Sequence, residues 1–198
     1  MVKLRPGTVL GLLGMLSLPA CAAPSVEETA RQVMIGFQNE DAKLLNSLTD
    51  KDIGLYVLFR RGVSMDYEHL TQIDFNQPVP EYLRWPSGGE HIPRDEEFDR
   101  KTTPHFECEG GWDRKGYFIS GYDAYHQLSA NMVWTRRDRG TVSDADIAAA
   151  RNLEFNSVRV VAVPTRSSDG LVFYLSQAHG FEGAWYLTVV DQIIDCGA

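Results

Sequence analysis

The spacing of apolar residues changes period several times along the chain, and each change marks an element. Ser25-Val26-Glu27-Glu28 places a capping serine and first-turn acids ahead of Ala30, Val33, Met34 and Phe37, which predicts a helix with one buried face. Asn39–Asp41 interrupts that pattern, and Leu44, Leu45 and Leu48 predict a second short helix over Ala42–Leu48. Ile53–Arg60 is apolar at consecutive positions, as in a strand covered on both faces, and Gly62 ends it. Ser64–Phe75 mixes Tyr67, His69, Ile73 and Phe75 with acids and fits neither the helical nor the strand period. Farther on, Lys115–Ile119 predicts a short strand, and Asp123–Trp134 a helix with Tyr125, Leu128, Met132 and Val133 inward. Ser143-Asp144-Ala145-Asp146 is an N-cap pattern opening a helix to about Glu154. Strands over Ser157–Val163, Leu171–Gln177 and Ala184–Ile194, with a turn at Pro164–Gly170, then predict an antiparallel meander.

One long stretch carries no period. Residues 76–103 hold Pro78, Pro80, Pro86 and Pro93, the pair Gly88-Gly89 and the acids Asp95-Glu96-Glu97. Such a segment inside a compact domain is expected to be a functional or mobile loop, with Trp85 tacking it down. The last two strands, joined across Gly180 and Gly183, are expected to form the central hairpin of the sheet and to end on Cys196. The expected fold is a single α+β domain over residues 21–198, with N-terminal helices packed on a curved antiparallel sheet.

Composition narrows the partners. The chain has 198 residues, 43% of them hydrophobic, enough to bury a sizeable core. The formal net charge is −8, and without the first 20 residues 17 basic face 27 acidic residues, or −10. A surface this acidic repels phosphate backbones, so no nucleic-acid partner is expected.

The N-terminus reads as an address. Lys3 and Arg5 precede an apolar run from Val9 to Leu18 that is shorter than the roughly 20 residues a membrane-spanning helix needs, so residues 1–20 are expected to be a signal peptide. Leu18-Pro19-Ala20-Cys21 resembles the lipobox of bacterial lipoproteins, whose cysteine is lipidated and becomes the mature N-terminus. The alternative is ordinary cleavage after Ala20-Cys21-Ala22. Either route removes Cys21 from an awkward count of three cysteines and leaves Cys108 and Cys196. Ala22 beside the anchor resembles the outer-membrane sorting pattern, which implies a lipid anchor facing the periplasm; under ordinary cleavage the protein is periplasmic or secreted.

Four runs carry a wider resemblance: DIGLYVLFRRGVSMDYEHLTQIDF, PHFECEGGWDRKGYF, NSVRVVAV, and LVFYLSQ followed by GAWYLTVVDQIIDCGA. They resemble bacterial exported proteins and lipoproteins of unknown function that end in a similar Trp-Tyr-Leu-Thr…Asp…Cys strand. The resemblance implies a disulfide between Cys108 and Cys196 and carries no assigned catalytic residue. More loosely, the order of helices and strands is similar to the cone-shaped NTF2-like fold, from which the proline-rich stretch departs.

Candidate chemistry is sparse. Under strict alternation Trp185, Leu187, Val189, Asp191 and Ile193 share one face of the last strand. A carboxylate on that apolar face, inside a cone, would be desolvated and suited to a general base. The plainer expectation puts Asp191 at the strand end, in solvent, accepting backbone or arginine hydrogen bonds. His69, His91, His105, His126 and His179 lack metal spacing, and Glu90-His91 with Asp95, Glu96, Glu97 and Asp99 lacks the pattern of a calcium loop. No metal site and no cofactor are expected. Trp85, Trp112, Trp134 and Trp185 are expected in the core, with an apolar pocket or sugar platform as the alternative. The expectation is therefore an envelope lipoprotein whose domain binds a small apolar ligand or an envelope partner without catalysis. The alternative is a small hydrolase or isomerase using Asp191.

Overall fold

The computed structural model describes residues 23–87, 97–100, 102–120, 127–165, 170–177 and 183–193. Residues 1–20, expected to be a signal peptide, and Cys21, Cys196, Gly88-Gly89, His91, His126 and His179 lie outside the described residues.

Helix α1 (Val26–Gln38) starts where its cap predicts, with the Ser25 hydroxyl accepting from the Glu28 N–H at 3.2 Å. Helix α2 (Ala42–Ser47) is capped by Asp41, whose Oδ1 accepts from the Leu44 N–H at 2.9 Å. The two helices touch closely at Gly36, where a Cβ would fall 2.6 Å from the Leu45 Cδ2. Strands β1 (Leu55–Arg61) and β2 (Ser64–Leu70) form a hairpin turning at Gly62. The small ladder β3 (Phe106–Glu107) and β4 (Gly111–Trp112) precedes β5 (Gly116–Ser120). Two helices follow, α3 (Gln127–Arg139) and α4 (Asp144–Phe155), then β6 (Ser157–Val163), β7 (Leu171–Gln177) and β8 (Trp185–Asp191). Ser64–Leu70, which fits no period in the sequence, is thus an edge strand, and α3 continues five residues past Trp134. Those five residues, Thr135 to Arg139, carry no apolar signal. Ion pairs of Arg136 with Asp144 and of Arg139 with Asp66 fasten them.

The six-stranded sheet runs β2-β1-β8-β7-β6-β5. The meander from β6 to β8 is antiparallel as expected, β5 joins it antiparallel at the edge, and β7–β8 lies in the middle of the sheet. The sheet as a whole is mixed, which corrects the antiparallel expectation: β1 runs parallel to β8, with Tyr56 beside Val189 and Leu58 beside Asp191. Parallel neighbours cannot be joined by a tight turn. Here everything from β2 to β7 serves as their connection, a separation that no local pattern reveals.

Helices cover both faces, N-terminal α1 and α2 on one and α3 and α4 on the other. Alternate residues sort the two sides. Val33, Met34, Phe37 and Leu45 of α1 and α2 pack with Val57, Phe59, Val160, Phe173 and Leu187. Leu128, Met132, Ile147 and Ala150 of α3 and α4 pack on the other face with Leu58, Tyr174 and Val189. Val133, expected inward, is exposed instead, one residue on from Met132 around the helix. The two later helices are antiparallel: Glu154 Oε1 accepts from the Ser129 N–H at 3.0 Å at one end, and Arg136 meets Asp144 at the other. Coverage on both sides explains why β6 is buried at every position, Arg159 included.

Loops close the remaining edges. Trp85 tacks down the proline-rich segment as expected, donating its indole N–H to the Asp74 carbonyl at 3.0 Å and packing against Phe37 and Phe75. Asp99 caps β5, donating its N–H to the Tyr117 carbonyl at 2.8 Å and accepting from the Ile119 N–H at 2.9 Å. Trp112 packs with Phe118, Val161, Val163 and Val172 and fills the space above Gly170, where a Cβ would lie 2.5 Å from its Nε1.

Candidate functional site

Two places on this frame gather polar side chains in a way packing alone does not require. The first lies beneath α3 and α4. Along β7 and β8 Tyr174 pairs with Val189 but Leu175 pairs with Leu187, so Thr188 is an extra, bulged residue. The bulge breaks the strict alternation that the sequence suggests. Leu187 and Val190 face α1 and α2, while Val189 faces α3 and α4 with Tyr174. Asp191, two residues after Val189, follows it to that second face.

Thr188 joins a buried line of hydroxyls. Its Oγ1 lies 2.6 Å from Ser176 Oγ, which lies 2.5 Å from Ser157 Oγ, and Ser157 donates to the Leu153 carbonyl at 2.6 Å. With Ser157 donating to Leu153, Ser176 donates to Ser157 and Thr188 to Ser176, so three buried hydroxyls are satisfied across three strands.

Beside that line lie Asp191, Arg159 and Tyr174, exposed by 4%, 8% and 4%. Asp191 ends β8 and accepts from the Ile193 N–H at 3.0 Å, as the plainer expectation holds, but it is buried where that expectation put it in solvent. Burial raises its pKa, opposed by the Arg159 charge and by the Ile193 N–H. Tyr174 is pushed well above the ordinary tyrosine value, first by burial and then by Asp191, with Arg159 opposing. The Arg159 guanidinium also donates to Thr103 Oγ1 at 3.1 Å, tying β6 to the segment ahead of β3. Chemically this is a buried carboxylate under the influence of a buried arginine charge, beside a phenol that stays neutral at any physiological pH.

The second place is a cleft of about 300 Å³ at the β2 edge, lined by Arg61, Glu68 and Leu70 and by Pro78, Val79, Pro80, Glu81 and Tyr82. Arg61 donates through Nε to Asp66 Oδ2 at 3.1 Å, and Arg139 pairs with the same oxygen. Asp66 is 1% exposed, so one buried carboxylate holds two arginines. The Tyr82 hydroxyl donates to the Arg60 carbonyl at 2.6 Å, and its ring meets Phe59 edge-on. Sequence reasoning missed this cleft. Pro78-Val79-Pro80 was its one visible trace, because the β2 residues that form the opposite wall are recognisable only once β2 is known to be a strand.

Other expected residues stay apart. His69 stacks on Tyr56 at 4.2 Å with its Nε2 2.7 Å from the Ile53 carbonyl, and His105 is exposed in the approach to β3. Among the described residues no three metal-binding side chains gather, and no helix is long and apolar enough to cross a membrane. Trp85 and Trp112 are buried, Trp185 is half-buried and Trp134 is exposed on α3. Cys108 lies exposed in the turn between β3 and β4, and its expected partner Cys196 falls outside the described residues. No protein family, curated protein or solved structure matches the chain.

Proposed function

We propose that the chain is an exported protein of the bacterial envelope, anchored through a lipid on Cys21 to the outer membrane and facing the periplasm. Its folded domain binds a small apolar ligand or another envelope protein without catalysing a reaction. The observation that carries this reading is the cleft beside β2, whose lining includes Leu70, Pro78, Val79, Pro80 and the exposed ring of Tyr82. Helices on both faces of the sheet support it further, since they leave the sheet edge as the accessible place for a ligand. The reading calls for no cofactor and no nucleic acid, and it takes up the resemblance to exported proteins of unknown function and, more loosely, to the NTF2-like fold.

A bond between Cys108 and Cys196 belongs to the same proposal. In its favour, Cys108 lies at the surface, in the turn between β3 and β4. Trp112, four residues on, packs against Val172, which pairs with Asp191 near the end of the chain. Mass spectrometry of the exported protein tests anchor and bond together. A diacylated Cys21 at the N-terminus and no free thiol are expected; an unmodified terminus returns the protein to ordinary cleavage, and two free thiols remove the bond.

A second reading, a small hydrolase or isomerase using Asp191, draws on the desolvated carboxylate beside Tyr174. Carbon-detected NMR titration of Asp191 tests it: a midpoint in the ordinary aspartate range removes the general base.

A further inference from the structure

We infer that the ligand of the β2 cleft is an organic ammonium with a short apolar tail. This rests on the cleft being the binding place and adds the ligand's charge. Glu68 on β2 and Glu81 on the proline-rich segment both line the cleft and are exposed, and neither enters an ion pair among the described residues. Arg61 is the one cation among the lining residues, and it is already committed. Its Nε–H points into the buried Asp66 carboxylate, and its guanidinium stands 5.7 Å from the Phe59 ring centroid. The charge left to meet a ligand is therefore negative.

Tyr82 supplies the second element of cation recognition. Its ring is 52% exposed, yet the bond from its hydroxyl to Arg60 holds it in place, so an aromatic surface stands ready beside two carboxylates. Leu70, Pro78, Val79 and Pro80 offer apolar contact for a tail. A hard metal ion fits less well, since two carboxylates fall short of the six or more oxygens that calcium takes and no third ligating side chain joins them among the described residues.

Calorimetric titration with hexyltrimethylammonium, hexylamine, hexanol and hexanoate separates the possibilities. The two cations are expected to saturate and to bind about tenfold tighter than the alcohol, with hexanoate weakest. A Glu68→Gln/Glu81→Gln double variant is expected to erase that preference while leaving the hexanol affinity unchanged. Tyr82→Ala weakens the cations, and an Arg61→Gln variant does not. Equal affinity for alcohol and ammonium overturns the charge assignment and leaves the apolar cleft standing. No saturable binding by any of the four overturns both.

Discussion

Asp66 and Arg139, 73 residues apart in the chain, meet in an ion pair whose carboxylate is buried while the guanidinium is half exposed. The pair fastens the C-terminal end of α3 to the β1–β2 hairpin, and Arg61 shares the same carboxylate. Asp66→Ala should cost about 1–3 kcal/mol, less than the roughly 3–5 of a fully buried pair, because both arginines can turn to solvent. Arg139→Ala should cost about 1 kcal/mol or less. Urea denaturation of the two variants checks the asymmetry, and equal losses would contradict it.

The close approach of Trp112 to Gly170 gives a second expectation. Alanine at residue 170 would push its Cβ into the indole, which is 7% exposed and hemmed in by Val161 and Val172. Gly170→Ala should destabilise by about 1–3 kcal/mol, as overpacking does, and should blue-shift or broaden the tryptophan emission. A Trp112→Leu change in the same chain should recover part of the loss.

Asp191 makes the stability pH-dependent in an unusual direction. Its folded pKa stands above the unfolded value, so between the two the native state holds more protons and stability falls as pH rises. Acidifying from neutrality should therefore strengthen the fold through this residue. Asp146 acts oppositely and at lower pH: the Ser143 hydroxyl and then its N–H lower the pKa, so that contribution is lost as pH falls through the depressed value. Thermal melts between about pH 7 and 4 should show a slope that flattens in Asp191→Asn.

The hydroxyl line across β6, β7 and β8 predicts a modest, site-specific cost. Thr188→Val keeps the shape and removes one link, leaving Ser176 to bond only toward Ser157. A loss of about 1 kcal/mol in chemical denaturation is expected, and Ser176→Ala, which severs both neighbours, should cost more.

How far the sequence could be read depended on whether a residue's partners were near it in the chain. The bounds of β6 and β7 were legible because both faces of each strand are buried and each is rich in β-branched and large apolar residues between turn signals. The starts of α1 and α4 were legible because caps act over three residues. Strand β2 was not, since an edge strand with Glu68 and His69 exposed shows no apolar alternation. Nor was the side on which Asp191 lies, because one bulged residue at Thr188 reverses the parity of all that follows. Asp66 gave no sign of its two arginines until α3 had returned across the hairpin, and the cleft needed β2 and Tyr82 in place together.

The parallel seating of β8 beside β1 sets the order in which the molecule can assemble. Until β8 has been made, β1 lacks its inner neighbour and the floor beneath α1 and α2 is incomplete. Under the proposed export, a chain built this way holds back its core until β8 too has crossed the membrane.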